Sequence, residues 1–343
     1  MSNSTIRSLT SIGLAAQLLA FGAGCSVGAT GIDESDLSEG PGASGGKADG
    51  TAAECAALEQ DPYVVTGVVQ GGEDQGACLD TTMFRAVRLL RDADYVDAAY
   101  RYDFAGAQQA LAATGNPELA ASHYALAANV KHAGEFWVAE IPLMAGSMHD
   151  AYYLIEEFEL KVVENLPPVM VDLLEQFLPE ELAELQQAPF TAAHGMFRFS
   201  FQDGSPVVVK PQFPADPTRR DSFHELVLSV HAVSNVAGEY DPVEGMQDAY
   251  GTARGVYSVR EKVDMSIGQL GNTIRQWRVE LDSNTMRRIL LAYLSRSTDH
   301  GLDDAYNTAT RNCGSELFES LEDALGRRAG FEVRDLDSVD QIQ

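Results

Sequence analysis

Basic residues are scarce in this chain. Its 343 residues hold 24 Lys and Arg against 51 Asp and Glu, a formal net charge of -27. A surface that tracks nucleic-acid phosphates needs the opposite balance, so nucleic acid is excluded as a partner. The acidic residues are spread along the chain instead of being gathered in a tail, and they read as a solvated surface. Long apolar runs are also missing, and nothing after the N-terminal leader approaches the length of a bilayer span. Metal motifs fail wherever they begin. His224-Glu225 opens like a zinc-protease helix, yet Leu228 stands where the second ligand belongs. His224 and His231 would fall on opposite faces of a strand. His123, His132 and His149 share no spacing with Cys or carboxylates that makes a ligand set. Gly46-Lys47 lacks both the first glycine and the Ser/Thr of a phosphate-binding loop. No metal and no cofactor is expected.

What the chain does carry begins with a leader. Met1 to Gly24 has one cation, Arg7, then an apolar run from Ile12 to Phe21 that contains Gln17, then small residues before Cys25. That run is too short for a comfortable span and reads as an export signal. The residues FGAGC resemble a bacterial lipoprotein signal, which implies acylation of Cys25 after cleavage; ordinary secretion with cleavage nearby is the alternative. Residues 1–24 are assigned to the signal. Residues 25–50, ending GPGASGGKADG, are a flexible tether with little to bury. The expected location is the cell envelope, as an outer-membrane-anchored lipoprotein facing the periplasm or the exterior. Its expected partners are the membrane, through the anchor, and an unidentified envelope substrate or protein.

Cysteine is rare, with four in all. Cys25 would be the anchor that the lipoprotein resemblance implies, and Cys55 and Cys78 flank a Gly-rich loop and make the obvious pair for a disulfide in an oxidising compartment. Cys313 is left over.

Residues 51–187 read as mainly helical. MFRAVRLLRDADYVDAAYRY, PELAASHYALAANVKHAG, MHDAYYLIEEFELKVVENL and PPVMVDLLEQFLPEELAELQQ each space apolar residues three and four apart. From residue 188 the pattern becomes α+β. FTAAHGMFRFSFQDGSPVVVKPQF reads as a hairpin turning at Asp203-Gly204, with Phe197, Phe199 and Phe201 on one face. ELVLSVHAV is a third strand and VYSVREKV a further one. Helices are expected at Ile267 to Gln276 and at Ser283 to Arg296, with Ser283 as cap. Weak strand character closes the chain at Gly330 to Val333. The fold expected is α+β: a helical N-terminal portion packed on a small antiparallel sheet with a Cys-bearing helix.

That last helix is the chemically suggestive one. In RNCGSELFESLEDALG, Asn312 is a good N-cap, and Leu317, Leu321 and Leu325 follow Cys313 at steps of four. Free amide N–H groups, the helix dipole and Arg311 would favour a thiolate at Cys313. The alternative is a small buried hydrophobe. A redox role is disfavoured because no resolving cysteine lies nearby.

Taken in order, AAHGMFRF, GMQDAYGTARGVYSVREKV, IRQWRVEL, TMRRILLAYL and RNCGSELFESLEDAL resemble the Lnb N-terminal periplasmic domain family, a domain of unknown function, over about residues 190–326. The order of a His on a strand and then a Cys at a helix start also resembles the permuted papain-like thiol enzymes. That second resemblance implies Cys313 as nucleophile, His194 as base, His231 as the group orienting the imidazole, and the backbone N–H of Cys313 or Gly314 as an oxyanion donor. The function it implies is an envelope thiol hydrolase or acyltransferase acting on an amide or ester. The competing reading is a non-catalytic envelope scaffold or binding lipoprotein. Strict alternation places His194 opposite the Phe197, Phe199 and Phe201 face, so a meeting with a helix packed on that face would require a bulge at Gly195.

Overall fold

The computed structural model describes residues 63, 65–90, 124–160, 190–212, 218–235, 240, 242–308, 310–326 and 340–341. Their dominant element is one mixed sheet of twelve strands. In chain order these are β1 (Arg88–Leu89), β2 (Tyr124–His132), β3 (Glu135–Pro142), β4 (Met148–Leu160), β5 (Phe190–Phe201), β6 (Val207–Pro211), β7 (Asp221–Phe223), β8 (Glu225–Val233), β9 (Tyr250–Ser258), β10 (Thr273–Val279), β11 (Ala305–Tyr306) and β12 (Asp340–Gln341). The main path runs β12-β10-β4-β5-β8-β9-β2-β3-β6-β7, with β1 on β2 and β11 on β9. Every pairing is antiparallel except β2 with β9. Helices are few: a turn at Pro242–Gly245, α1 (Val259–Val263) continuing as a π turn over Asp264–Gln269, α2 (Ser283–His300) and α3 (Cys313–Leu325).

This architecture corrects the expectation of a helical N-terminal portion on a small sheet. YALAANVKH and MHDAYYLIEEFEL, both read as helical, are β2 and β4. Six consecutive residues of β2 are buried. A strand covered on both faces offers apolar residues at nearly every position, and such a run also satisfies a three-and-four spacing. The helical segments expected between residues 91 and 123 and from 161 to 187, and the strand expected at Gly330 to Val333, lie outside the described residues. Strands from either side of residue 188 alternate in the sheet, with β4 between β10 and β5.

Three further differences have local causes. The chain does turn at Asp203-Gly204, but β5 pairs with β4 and β8 while β6 pairs with β3 and β7, so the two do not form a hairpin. Turn residues fix a reversal; they do not choose the neighbour. VYSVREKV is strand only to Ser258, whose side chain caps α1 by accepting from the Glu261 N–H. The helix expected at Ile267 to Gln276 stops where Gly271 adopts φ 70°, and TIRQWRV then pairs with β4 along its whole length. Ser283 opens α2 as expected, but its cap is Asp282, which accepts from the N–H groups of Asn284 and Thr285.

The sheet separates two cores. On one face α2 and α3 pack through Met286, Ile289, Leu290, Tyr293, Leu294, Leu317 and Leu321 against Phe197, Phe199, Phe201, Leu226, Leu228 and Val256. On the other, Met196, Val227, Ala253 and Tyr257 meet Phe84, Met265 and Leu302.

Candidate functional site

The helix start at Cys313 is built as its residues dictate. Asn312 accepts from the N–H groups of Gly314 and Ser315, and Ser315 Oγ accepts from the Asn312 N–H at 2.9 Å, completing a capping box. The helix ends at Gly326 in the left-handed region. The consequence for chemistry is unfavourable to an oxyanion site. The Gly314 N–H is occupied by Asn312 Oδ1 at 3.0 Å, and the Cys313 N–H donates to the Tyr306 hydroxyl. Arg311 does not attend the sulfur but forms ion pairs with Asp304 and Glu316, at 3.6 and 3.7 Å.

Cys313 is 3% exposed and belongs to the core beneath α2 and α3. It is not a free thiol, and neither is Cys78. Cys25 and Cys55 lie outside the described residues, and so does His123. His149 and His224 are exposed, and His132 is buried between Ser258 and Asp221.

His194 and His231 lie on the opposite side of the sheet. On β5, Phe197, Phe199 and Phe201 enter the helix-side core, whereas Met196 enters the second. His194 shares the parity of Met196. The β4–β5 ladder runs without a shift from Leu160↔Phe190 to Asp150↔Ser200, so Gly195 carries no bulge. The structure therefore brings His194 and His231 together, with ring centroids 5.2 Å apart, and does not bring either to Cys313.

What it gathers around those imidazoles is a closed polar cluster that sequence reasoning missed. Glu156 on β4 stands opposite His194 in register. Lys262 from α1 reaches Glu156 Oε2 at 3.1 Å, and Asn272 Nδ2 donates to Glu156 Oε1 at 2.7 Å. His194 Nε2 lies 2.7 Å from Ser229 Oγ. His231 stacks on Phe84 at 4.1 Å and meets Tyr257 edge-on. Glu156, His194, Ser229, His231 and Lys262 are all buried. The Nδ1 of His194 and both ring nitrogens of His231 have no hydrogen-bond partner among the described residues.

Burial and the neighbouring Lys262 charge push His194 down to about 3, although Glu156 pulls the other way. His231 is driven well below its ordinary value by the same two causes, with His194 and Lys131 adding to them. Burial alone would raise Glu156, but Lys262, His194, Asn272 and Ser266 together hold it at about 2. At neutral pH the cluster is thus a carboxylate–ammonium pair flanked by two neutral imidazoles. The Ser229–His194 contact has the chemistry of a hydroxyl and a base, but both residues are wholly buried and a carbonyl substrate has no approach to them. Among the described residues no group of His, Cys, Asp and Glu is placed to hold a metal ion.

The cluster left little trace in the sequence. Glu156 sits in a segment with helical spacing, and Lys262 and Asn272 are single polar residues in segments assigned to other elements. Comparison with protein-family models, curated proteins and solved structures finds no match.

Proposed function

We propose that the chain is an exported, lipid-anchored envelope protein whose β-sheet region binds or scaffolds and does not catalyse through Cys313. The observation that carries this reading is the separation of the sulfur from the imidazoles by the thickness of the sheet. Two further features favour it. Both amides available for an oxyanion already have acceptors, and a core sulfur that is not a free thiol cannot ionise to the nucleophilic thiolate. An oxidising compartment is favoured by the lipoprotein-like FGAGC and by the resemblance to the Lnb N-terminal family over residues 190–326. Among the described residues no helix is long and apolar enough to cross a membrane. The attachment proposed is an acylated Cys25, on the strength of FGAGC.

Alkylation of the natively purified chain, without reductant and from neutral to mildly alkaline pH, tests the reading. Cys313 should stay unmodified until the protein is both reduced and unfolded. Fast, stoichiometric labelling of Cys313 in the folded state would restore the thiol hydrolase or acyltransferase. Cys25→Ser should move the protein from the membrane to the soluble fraction; retention on the membrane would remove the anchor.

A further inference from the structure

We infer that Lys262 and Asn272 become joined by an intramolecular amide bond, formed beside Glu156 in the closed cluster on the second face of the sheet. The proposal does not depend on the binding role or on any property of Cys313.

A lysine side chain 1% exposed is rare, because burying an ammonium costs far more than a surface position. Here its partner is the carboxylate of Glu156, which is wholly buried as well. That carboxylate has two oxygens and two different neighbours. One oxygen faces the Lys262 amine at 3.1 Å, and the other holds the Asn272 carboxamide at 2.7 Å. Amine and carboxamide are therefore held at one proton-carrying group. The backbone keeps them there: the Asn272 N–H donates to the Ser266 carbonyl at 2.9 Å, and Gly271 at φ 70° turns the chain back from the π turn into β10. Apolar Tyr257, Met265 and Ile274 belong to the core on this face.

The bond-forming sequence balances without a co-reactant. A proton passes transiently from the Lys262 ammonium to Glu156, against the balance that holds this carboxyl at about 2, and gives the amine that attacks. The amine attacks Cγ of Asn272 and forms the Nζ–Cγ bond. Glu156 passes one proton from Nζ to Nδ2, the Cγ–Nδ2 bond breaks, and nitrogen leaves as neutral ammonia. Glu156 keeps the other proton and ends as a neutral acid beside the new amide, so no unpaired charge stays buried. Nothing is oxidised or reduced. Because buried Lys262 and half-buried Asn272 share the buried Glu156 carboxylate, the reaction gains the advantage of an intramolecular step. The product pins α1 and the π turn to the start of β10, across the carboxyl beside His194.

The test is mass spectrometry of the natively purified, unsubstituted chain. Trypsin cannot cut after an acylated lysine, so the expected product is a single peptide, Glu261 to Arg275, lighter by one ammonia. Cleavage before Asp264 should leave its two parts joined. A free Lys262 with an intact Asn272 carboxamide overturns the proposal. An ammonia loss confined to the fragment from Asp264 to Arg275 also overturns it, because that is a succinimide at Asn272 and not a cross-link. Asn272→Ala, at a half-buried position, should restore tryptic cleavage after Lys262 and the full mass. Glu156→Gln should do the same where it folds, and the result on the unsubstituted chain decides the matter where it does not.

Discussion

Arg254 on β9 and Glu316 on α3 meet with neither side chain exposed to solvent, Arg254 Nε and Nη2 donating to Glu316 Oε2 at 3.0 and 2.6 Å. Arg254 Nη2 also reaches Asp304 at 2.6 Å. Burial works against the guanidinium charge, but Glu316 and Asp304 outweigh it and raise its proton affinity. This contact clamps the Cys313 helix to the centre of the sheet.

Breaking the clamp from one side should be costly. Glu316→Ala leaves a buried guanidinium short of its main counter-charge, and a loss of roughly 3–5 kcal/mol in unfolding free energy is expected from denaturant titration. Replacing both partners, Arg254→Met with Glu316→Leu, should recover most of it. Asp304 keeps Arg311 and His300, and Arg296 keeps Glu319 and Asp323, so the double change strands no buried charge. A double variant no more stable than the single one would show that the pair is needed for more than neutralising itself.

The helix cap yields a smaller, separable effect. Asn312→Ala removes the acceptor for two amide groups and should cost about 1 kcal/mol. Asn312→Asp should keep most of the stability, since a carboxylate both caps and suits the positive end of the helix. Thermal unfolding of the three proteins checks the order.

Packing along the same helix should be graded by depth. Leu317 is fully buried, whereas Leu325, two turns on, is only half-buried. Leu317→Ala is expected to cost roughly 2–5 kcal/mol and Leu325→Ala clearly less, measured by urea denaturation. Equal costs would mean that α3 seats differently from the contact with Phe197 and Phe199 described here.

These cases also show which parts of the fold the chain announces. The amphipathic helices α2 and α3 were legible because one face of each meets water, which makes apolar spacing informative: Met286, Ile289, Leu290, Tyr293 and Leu294, and Leu317 and Leu321, all pack where the pattern places them. The alternation of Phe197, Phe199 and Phe201 likewise foretold which side of β5 would be His194's. Strand β2 was illegible as a strand because covering both its faces removes the contrast on which period-reading depends. The polar cluster was illegible for another reason. Glu156, His194, Ser229, His231, Lys262 and Asn272 come from five separate segments, and only the crossing of β4, β5 and β8 beneath α1 makes them neighbours.

The same cluster fixes the sign of an acid response. For His194 the folded-state value, about 3, lies below the ordinary 6.5, so the unfolded chain binds the proton first. Stability from keeping this imidazole neutral is complete above about 6.5 and is lost as pH falls from there toward 3. His231 shifts in the same direction and adds to the loss. Each group contributes a slope approaching 1.4 kcal/mol, to order of magnitude, per pH unit within its window. Where Lys262 keeps its charge, Glu156 acts lower down: its folded value of about 2 lies below 4.5, so its contribution is present above 4.5 and disappears between there and 2. Acid should therefore destabilise the protein in two stages, the histidines before the carboxylate. His231→Phe, which preserves the stack on Phe84, should make the first stage shallower, leaving the share of His194, and leave the second. Urea midpoints measured at successive pH values give the profile, and NMR titration of the folded protein gives the sign independently. A ring signal from His194 or His231 that titrates near 6.5 in the folded state would reverse the argument, because those imidazoles would then be reached by water.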